Sequence, residues 1–480
     1  MPPVRRSWLE RRLRRASRTA LYGSLLLVTG AAFCLAFLVN QPIRGTEAER
    51  WIETDYSRLP EVRLLQRYVQ IDTSESSGDE VAGARFLADN LRAAGIEAQI
   101  EVLGQRHANL YALLPGRDPR PLVLHNHIDV KDVDPRQWFS PPFEARIQRP
   151  WMYGRGVFDM KSVAIAQLLA MVDLGKSGKP LRRSVLFLAT GGEETGSWLG
   201  ARWVVRQHPE LVASFWAVLT EGGTVEARTR SDVKYWGTEI GQKNFADLVV
   251  CGADRGQLEA VRQELREEGP SETDLRLIPE VRQVLAVYGP SRDSAELRRL
   301  LARPEALLGD VALFRQLPDY LRSMLRDQAV PFPVEEAPGG GYQMTVKLQL
   351  LPGEKPEDAR ARLMPSWRTH GFASTLEPTP PGPPSSPVSH PVFQQILATI
   401  RADHPDFLAG PFFLPWTATD ARFFRAAGVP SYGFSPFLIM NTDTLQVDQA
   451  NERMALPGYV QGVELYRKVV RRIALEGGPA

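Results

Sequence analysis

Cysteine is nearly absent from this chain, which has 480 residues and only two cysteines. Cys34 lies inside a long apolar run and Cys251 lies in the body of the chain, so we expect no structural disulfide bond. A metal site built from thiolates needs several cysteines at short spacing and is therefore excluded.

The chain also has little net charge. It contains 58 basic and 56 acidic side chains, which gives a formal net charge of +2. Seven arginines and only one glutamate fall within residues 1–18, so the rest of the chain is slightly acidic. Binding to nucleic acid requires a basic face for the phosphates, and nucleic acid is therefore not expected as a partner.

An uncharged apolar run follows the arginine-rich residues 1–18 and extends from Thr19 to Val39. This run is long enough for a helix to cross a hydrocarbon core of about 30 Å. Because arginines stay on the cytoplasmic side, we predict a basic cytoplasmic segment at 1–18 and a transmembrane anchor at 19–39. The predicted localisation is a single-pass membrane protein with a cytoplasmic N-terminus and the remaining domains on the extracytoplasmic side. A cleaved signal peptide and a buried apolar helix are the alternatives.

Strand-like and helix-like segments alternate through the first half of the body. The segments "PLVLHNHI", "RSVLFLAT" and "FWAVLTEGG" have the composition of strands, while "DMKSVAIAQLLAMVDLGKSG" and "SWLGARWVVRQHPEL" have helical apolar spacing. This alternation predicts an α/β fold, in which a mostly parallel sheet is the middle of three layers. The length of the chain favours a second domain.

The pattern changes after residue 242 and returns after a proline-rich stretch. Segments such as "GYQMTVKLQLLPG" and "KPEDARARLMPSWRTHG" indicate an α+β domain, and "EPTPPGPPSSPVSHP" is typical of a linker. We therefore predict that an inserted domain interrupts the α/β domain. The predicted boundaries are 45–242 for the first part of the α/β domain, 243–375 for an inserted lid or dimerisation-like domain, 376–388 for the linker and 389–480 for the second part of the α/β domain.

Two histidines and an aspartate alternate along the strand "LVLHNHIDV". Side chains two residues apart share one face of a strand, so His125, His127 and Asp129 should point the same way. A neutral imidazole can bind a metal while a nearby carboxylate orients its other nitrogen, and His127 with Asp129 suits this arrangement. The alternative for so short a motif is a surface histidine or a hydrogen-bonded histidine in the core.

Acidic residues follow the glycine loop "YGRG" and two of the predicted strands. Asp159 precedes a helix, so taken alone it would be a helix cap. Glu193 and Glu194 follow one strand and Glu221 follows the next, and the adjacent pair taken alone would be a solvated loop. In parallel sheets, ligand sites form at the carboxyl ends of strands. Because His127 and these glutamates are all predicted at such ends, the pattern favours a metal centre.

The order and spacing of these motifs resemble the M20 metallopeptidase family of aminoacylases, dipeptidases and carboxypeptidases. The chain is similar to the branch that contains the membrane-linked N-acyl-amino-acid hydrolase and the yeast vacuolar carboxypeptidase. The resemblance extends from about residue 60 to the C-terminus. The segments that carry it are "LHNHIDV", "WFSPPF", "YGRGVFDMKS", "GGEETGS", "EGG", "TATDARFF" and "NER".

The resemblance implies two divalent metal ions, zinc or else manganese or cobalt. His127 and Glu221 would bind the first ion, Asp159 would bridge both ions, and Glu194 would bind the second. The family's last ligand is a histidine, but here Asp448 occupies that position in "TLQVDQANER". Asp448 is then either a hard oxygen ligand that shifts the preference toward manganese or magnesium, or a solvated residue beside an empty or weak second site.

The resemblance also implies how the catalytic residues act. Glu193 would be the general base that takes a proton from the attacking water, and Asp129 would orient His127. Arg422, in "TDARFF", would bind a substrate carboxylate through two parallel hydrogen bonds. His125 is a further candidate for the nitrogen ligand that the second ion lacks.

Three other features of the family are missing. The chain has no histidine between His208 and His370, where the family has an oxyanion-stabilising histidine in its inserted domain. Gln349 is at the expected position of an arginine that reads the substrate carboxylate. Thr220 replaces an aspartate that is common before Glu221 in the branch.

We therefore predict a membrane-anchored, metal-dependent hydrolase of amide bonds in N-acyl amino acids or short peptides. The missing histidines support an alternative, a catalytically weakened or inactive binding or regulatory protein on the same scaffold. The expected partners are a small-molecule or peptide substrate, a membrane reached through the N-terminal anchor, and a second copy in a homodimer like that of some relatives.

Overall fold

A computed structural model of the chain describes residues 54–229, 232–267, 274–363, 372–376, 382–438 and 446–476. The α-helices are α1 Pro60–Val69, α2 Glu80–Ala93, α3 Lys161–Lys176, α4 Ala201–Gln207, α5 Pro209–Ala213, α6 Arg255–Glu267, α7 Pro279–Tyr288, α8 Ala295–Leu301, α9 Val311–Arg315, α10 Asp319–Ser323, α11 Pro356–Leu363, α12 Pro391–Asp403, α13 Ala421–Ala426 and α14 Leu456–Arg471. The strands are β1 Gln99–Leu103, β2 His107–Leu114, β3 Gly116–His127, β4 Arg146–Gln148, β5 Trp151–Tyr153, β6 Leu181–Thr190, β7 Ala217–Thr220, β8 Thr224–Thr229, β9 Asp232–Gln242, β10 Asn244–Gly252, β11 Gln328–Pro331, β12 Glu335–Glu336, β13 Tyr342–Leu350, β14 Ala373–Leu376, β15 Ala409–Leu414, β16 Ser431–Gly433 and β17 Arg453–Ala455.

Nine strands form the main sheet, in the order β1-β2-β6-β3-β7-β16-β9-β15, with β8 beside β9. The middle of this sheet is parallel, since β6 pairs with β3, β3 with β7, and β7 with β16. Continuous apolar runs form these strands because both of their faces are covered, and β6 is buried along most of its length. The predicted α/β fold with a parallel sheet is confirmed at this centre, whereas β1, β2 and β8 pair antiparallel with their neighbours.

Alternate residues of the central strands pack against helices on opposite faces of the sheet. Val123 of β3 lies in one core cluster with Val204 of α4 and Phe424 of α13. On the other face, Asn126 donates a hydrogen bond to Gln167 of α3 at 2.9 Å, and α3 packs in turn against α14. The sheet is therefore the middle layer between helices, as the alternation of strands and helices predicts.

Parallel pairing brings the polar ends of the central strands to one edge. His127, the last residue of β3, pairs with Thr190, the last residue of β6. The neighbouring strand β7 runs in the same direction and ends at Thr220. The turn that carries Glu193 and the loop that begins with Glu221 consequently emerge beside His127, where sites form in parallel sheets.

Among the described residues, a second sheet of five strands coincides with the predicted insert, residues 243–375, except that β14 extends one residue further, to Leu376. Its order is β11-β13-β10-β14, with β12 beside β13, and every pairing is antiparallel. Val261 of α6 packs with Leu248 of β10 on one face of this sheet. Helices α7 to α10 pack instead around Tyr288, in a cluster that includes Phe413 of the main sheet. The insert is thus of mixed α and β structure, while its exact limits stay a prediction.

The predicted cytoplasmic segment at 1–18 and transmembrane anchor at 19–39 lie outside the described residues, as do residues 377–381 of the predicted linker. Within the described ranges, no helix is both long enough and apolar enough to cross a bilayer. The longest, α3 and α14, have 16 residues each, whereas a spanning helix needs about 20. This finding corrects the predicted localisation as a single-pass membrane protein, which we do not maintain.

A buried ion pair joins α13 to the main sheet. Arg425 Nη2 lies 2.6 Å from Glu239 Oε2, and both side chains are almost completely buried. The Gly433 N–H donates to the same carboxylate oxygen at 3.0 Å. These contacts connect β9 and β16 to the helix that carries Arg422, so they stabilise the wall of the site described below.

We expect Arg425→Met to lower the free energy of unfolding by about 3–5 kcal/mol, because it leaves the buried Glu239 carboxylate without its cation. Urea-induced unfolding measures the change. Arg471→Met is the matched control, since Arg471 is half-exposed and lies 3.9 Å from Asp173. That control should change stability by no more than about 0.5 kcal/mol, and equal effects of the two variants would contradict the prediction.

Candidate metal centre

The buried carboxylate of Asp129 orients both halves of the site. Its Oδ1 accepts a hydrogen bond from the Glu193 N–H at 3.0 Å, and its Oδ2 accepts one from the Glu194 N–H at 2.9 Å. The backbone carbonyl of Asp129 accepts a hydrogen bond from His127 Nδ1 at 2.9 Å, and its carboxylate lies 3.5 Å from the same nitrogen. The other ring nitrogen, Nε2, is therefore the one directed into the site.

Two further polar side chains hold the turn before Glu193. The Gly191 N–H donates to Asn109 Oδ1 at 3.2 Å, and the Gly192 N–H donates to Glu80 Oε1 at 3.1 Å. The Glu80 carboxylate is 5% exposed and also contacts His107 Nδ1 at 3.0 Å. A Cβ at position 191 would lie 1.8 Å from Glu80 Oε2, so a larger residue there would have to displace this carboxylate. Glu80 of α2 therefore positions the turn through its hydrogen bond with the Gly192 N–H.

Glu193 and Glu194 are adjacent in sequence but have different partners. Glu193 Oε1 lies 3.9 Å from Arg422 Nη1. Glu194 Oε2 accepts a hydrogen bond from Lys131 Nζ at 2.6 Å. Both carboxylates are largely buried, at 10% and 6% exposure. The pair is thus not a solvated loop, and its two carboxylates are available for two different tasks.

His127 Nε2 faces two carboxylates, one just before α3 and one just after β7. It lies 3.1 Å from Asp159 Oδ1 and 3.7 Å from Glu221 Oε2. Helix α3 begins at Lys161 with Met160 as its N-cap, and no side chain makes a capping hydrogen bond. Asp159 therefore does not cap the helix but points into the site.

Among the residues that the structure describes, three overlapping groups of side chains could each hold a metal ion, with ligand atoms within 4.8 Å of one another. The groups are His127, Asp159 and Glu221; His127, Glu193 and Glu194; and Asp159, Glu194 and Asp448. All five residues predicted as metal ligands and the predicted base thus come together at one edge of the sheet. His127, Asp159 and Glu194 each belong to two of the groups, so the groups share ligands.

Asp448 is part of the site and is not a solvated loop residue. Its backbone carbonyl accepts a hydrogen bond from Arg155 Nη2 at 3.1 Å, and its Oδ1 lies 3.9 Å from Arg155 Nη1. Arg155 is held in turn by Glu452 at 2.8 Å, and Glu452 also accepts the Phe158 N–H at 2.8 Å. Asp448 has a φ of 61°, a left-handed conformation that aspartate tolerates better than most residues. The Asp448 side chain thus lies near the other acids, and its role as a metal ligand stays a prediction.

Burial and mutual repulsion raise the pKa of most acids in the site. Burial, followed by Asp159 and Asp448, raises the pKa of Glu194 to about 9. Burial and Asp159 raise the pKa of Glu221 to about 8 and that of Asp448 to about 6. Burial also acts to raise the pKa of Asp159, but the hydrogen bond and charge of His127, with smaller contributions from Glu221 and Lys131, together lower it. The cluster therefore has more negative charge than the protein neutralises.

The side chains of the cluster fit a divalent cation. Glu194 Oε1 and Asp448 Oδ1 are buried without a hydrogen-bond partner among the described residues. A buried carboxylate oxygen without a donor is costly, and a cation between these side chains would remove that cost. One imidazole nitrogen with several carboxylate oxygens is a donor set suited to zinc or manganese.

His125 does not take part in these groups. Its Nδ1 lies 3.0 Å from the Thr220 hydroxyl, and its Nε2 lies 3.0 Å from the Thr190 hydroxyl. Burial lowers the pKa of His125 to about 3, so the ring stays neutral at ordinary pH. The geometry gives no support to His125 as a second nitrogen ligand. Thr220, which replaces the aspartate common in the branch, forms a hydrogen bond with His125.

Four residues around the site are not predicted as site residues from the sequence. Glu80 and Lys131 have no pattern that distinguishes them from surface charges. Arg155 and Glu452 lie in the quoted segments "YGRG" and "NER", so their proximity to the matched motifs was the available signal. Their pairing across 297 positions of the chain is visible only in the folded protein.

An α/β fold with a histidine and several carboxylates at its parallel strand ends defines the class of metal-dependent hydrolases. The chain belongs to peptidase family M20/M25/M40, whose family model matches residues 123–472. The predicted family and the hydrolase class are thereby confirmed.

Individual relatives agree with this assignment. Rat aminoacylase-1A is 25% identical over 432 residues, which cover 87% of this chain and 96% of the relative. An M20 metallo-carboxypeptidase from Sulfolobus solfataricus has a TM-score of 0.64 at 17% identity, over 86% of this chain and 98% of that one. Human carnosine dipeptidase 1 has a TM-score of 0.61 at 16% identity, over 85% and 95%. These structures share the fold.

We expect the stabilisation of the protein by Mn²⁺ to increase between pH 6 and pH 9. The raised pKa values of Glu194 and Glu221 mean that these carboxyl groups hold protons which a metal ion must displace, so metal affinity rises with pH. The measurement is the unfolding temperature with Mn²⁺ minus that with EDTA at each pH, because titrations elsewhere cancel in the difference. A difference that is flat or falls with pH would contradict the prediction.

Glu80→Gln should lower the free energy of unfolding by about 1–3 kcal/mol, because the amide NH₂ must face one of the N–H donors that the carboxylate now satisfies. The variant should also bind Mn²⁺ more weakly, since the turn that carries Glu194 loses its support. Thermal unfolding and calorimetric titration measure the two effects. Glu97→Gln, which changes an exposed glutamate, is the control, and a Glu80 variant that behaves like it would refute the positioning role.

Proposed function

We propose that the protein hydrolyses amide bonds in N-acyl amino acids or short peptides, with Glu193 as the general base. The proposal depends on one observation, the convergence of His127, Glu193 and four further acids at one edge of the sheet. The names of the relatives, an aminoacylase, a dipeptidase and a metallo-carboxypeptidase, support an amide bond as the scissile bond.

Two divalent ions, zinc or else manganese or cobalt, are the proposed cofactors. His127, Asp159 and Glu221 would hold the first ion, and Asp159, Glu194 and Asp448 would hold the second. When bound, such ions polarise a carbonyl group and lower the pKa of water. Asp129 keeps His127 in the orientation that this requires, through the hydrogen bond from Nδ1 to its backbone carbonyl.

Glu193 is the residue that would move the proton. Burial, followed by the nearby Asp420 carboxylate, raises its pKa well above the usual range, while Arg422 opposes the shift. A carboxylate with a raised pKa is a better base near neutral pH. In the proposed reaction one Glu193 oxygen accepts a proton from the attacking water and then donates it to the nitrogen of the leaving amine.

Arg422 is the proposed partner of the substrate carboxylate. Its side chain is 19% exposed, and its Nη1 donates to the Thr419 carbonyl at 3.3 Å. The remaining N–H groups of the guanidinium form a fork that matches a carboxylate. A substrate held there would lie beside Glu193, 3.9 Å from the guanidinium.

A second candidate function follows from the missing histidine. The chain has none between His208 and His370, so the part of the insert before His370 supplies no imidazole to stabilise an oxyanion. Loss of one such donor costs about 10²–10³ in rate. A binding or regulatory protein that retains the metal groups but has little or no turnover is therefore the alternative, and a homodimer stays a prediction for either function.

A panel of N-acyl amino acids and dipeptides, assayed with Mn²⁺, Zn²⁺ or Co²⁺, distinguishes the two functions. We expect hydrolysis by the wild type and a loss of about 10²–10⁴-fold in kcat for Glu193→Gln, with metal content unchanged. Glu210→Gln, which changes an exposed glutamate on α5, is the control and should retain full activity. Activity that survives Glu193→Gln would refute the proposed base, and no turnover of any substrate would favour the alternative function.

A further inference from the structure

Lys131 places a positive charge against the second of the proposed metal-binding groups. Its Nζ donates a hydrogen bond to Glu194 Oε2 at 2.6 Å and lies 3.9 Å from Glu75 Oε1. Glu194 shares its group with Asp159 and Asp448. The ammonium therefore lies on a carboxylate that a second divalent ion would need.

The backbone at Lys131 is fixed while its side chain can leave. The Val130 N–H donates to the Thr73 carbonyl at 3.1 Å, and the Glu75 N–H donates to the Val130 carbonyl at 3.1 Å. These two bonds hold the start of the Lys131 loop against the segment before α2. The Lys131 side chain is 40% exposed, so its ammonium can exchange between Glu194 and solvent.

The two proposed metal-binding groups differ in how many lysine and arginine side chains lie next to them. The second group has Lys131 at Glu194 and Arg155 3.9 Å from Asp448 Oδ1. In the part of the chain that the structure describes, neither Asp159 nor Glu221 forms an ion pair with a lysine or arginine; each pairs with His127 instead. A divalent ion in the first group therefore displaces no lysine or arginine side chain, although it must replace any proton on His127 Nε2.

The ligands of the two groups also differ in kind. The first group offers the His127 imidazole and two carboxylates, while the second consists of three carboxylates. Carboxylates form charge-assisted hydrogen bonds to an ammonium group, whereas a neutral imidazole that donates through Nδ1 offers it only one uncharged acceptor, Nε2. The second group is thus the one that a lysine can satisfy.

We propose that the Lys131 ammonium competes with the second divalent ion for Glu194. The first group then fills at lower metal concentration, and the second fills only when Lys131 is displaced into solvent. This inference rests on the metal binding that the proposed function assumes, but it requires neither a substrate nor turnover. Over a range of metal concentrations, the protein then binds one ion tightly, whereas without the Lys131 charge both groups would be filled.

Lys131→Met tests the proposal, because methionine has a similar length and no charge. Metal-free wild type and variant are titrated with Mn²⁺ by calorimetry, and bound metal is counted by elemental analysis after dialysis. We expect one tight and one weaker site in the wild type, and a second site that binds about 10-fold more tightly or better in the variant. Lys131→Arg retains the charge and should keep the second site weak.

Lys179→Met is the matched control, because it removes the same charge from an exposed lysine and should leave both affinities unchanged. Lys131→Gln provides a second neutral variant, and circular dichroism of the metal-free proteins checks that each one folds. Two sites of equal affinity in the wild type, or a second affinity that neither neutral variant improves, would overturn the proposal. Since metal is counted without substrate, a protein that behaves as expected here but cleaves no amide would refute only the proposed hydrolysis.

Discussion

The site depends on the carboxylate of Asp129, which accepts the N–H groups of both Glu193 and Glu194 while its backbone carbonyl accepts the His127 ring proton. Because the N–H groups of Glu193 and Glu194 are each bound to one oxygen of this carboxylate, the backbone between them is held in place. The two glutamate side chains leave this backbone in different directions. One is then beside Arg422 and the other beside Lys131. A charged residue that is buried and almost fully hydrogen-bonded in this way is rigid, which is what positioning of a base and a metal ligand requires.

Crowding of negative charge is the consequence of that arrangement. Burial, together with the charge of Asp159, raises the pKa values of Glu194, Glu221 and Asp448. The protein offsets part of this charge with Lys131 and Arg155, and both of these cations lie on the same side, near Glu194 and Asp448. Divalent ions and the side chains of Lys131 and Arg155 can therefore each neutralise the carboxylates of the site. In our proposal, the competition between them determines how many metal ions the protein binds.

Much of the fold and of the site could be predicted from the sequence, since apolar runs define the central strands and a polar residue after each run marks the sheet edge. His127, Glu193 and Glu221 follow this rule directly. Glu80 and Lys131 do not, because their roles depend on contacts with a turn 112 and 63 positions away. The antiparallel edges of the sheet had no signal of their own either, because pairing direction depends on which strands become neighbours. The membrane prediction had a strong local pattern, yet the described helices do not supply the span.

By itself the sequence determined the type of fold, the family and the residues able to bind metal, because hydrophobic periodicity and side-chain chemistry are local properties. Only the tertiary structure decided which of two histidines on one strand face enters the site: His125 is enclosed between Thr190 and Thr220, while His127 meets Asp159 and Glu221. It also decided that Asp448 joins the acids rather than the solvent and that Lys131 lies among them. The reason is physical, because charge interactions depend on distance in space, and the residues concerned are brought together from opposite ends of the chain.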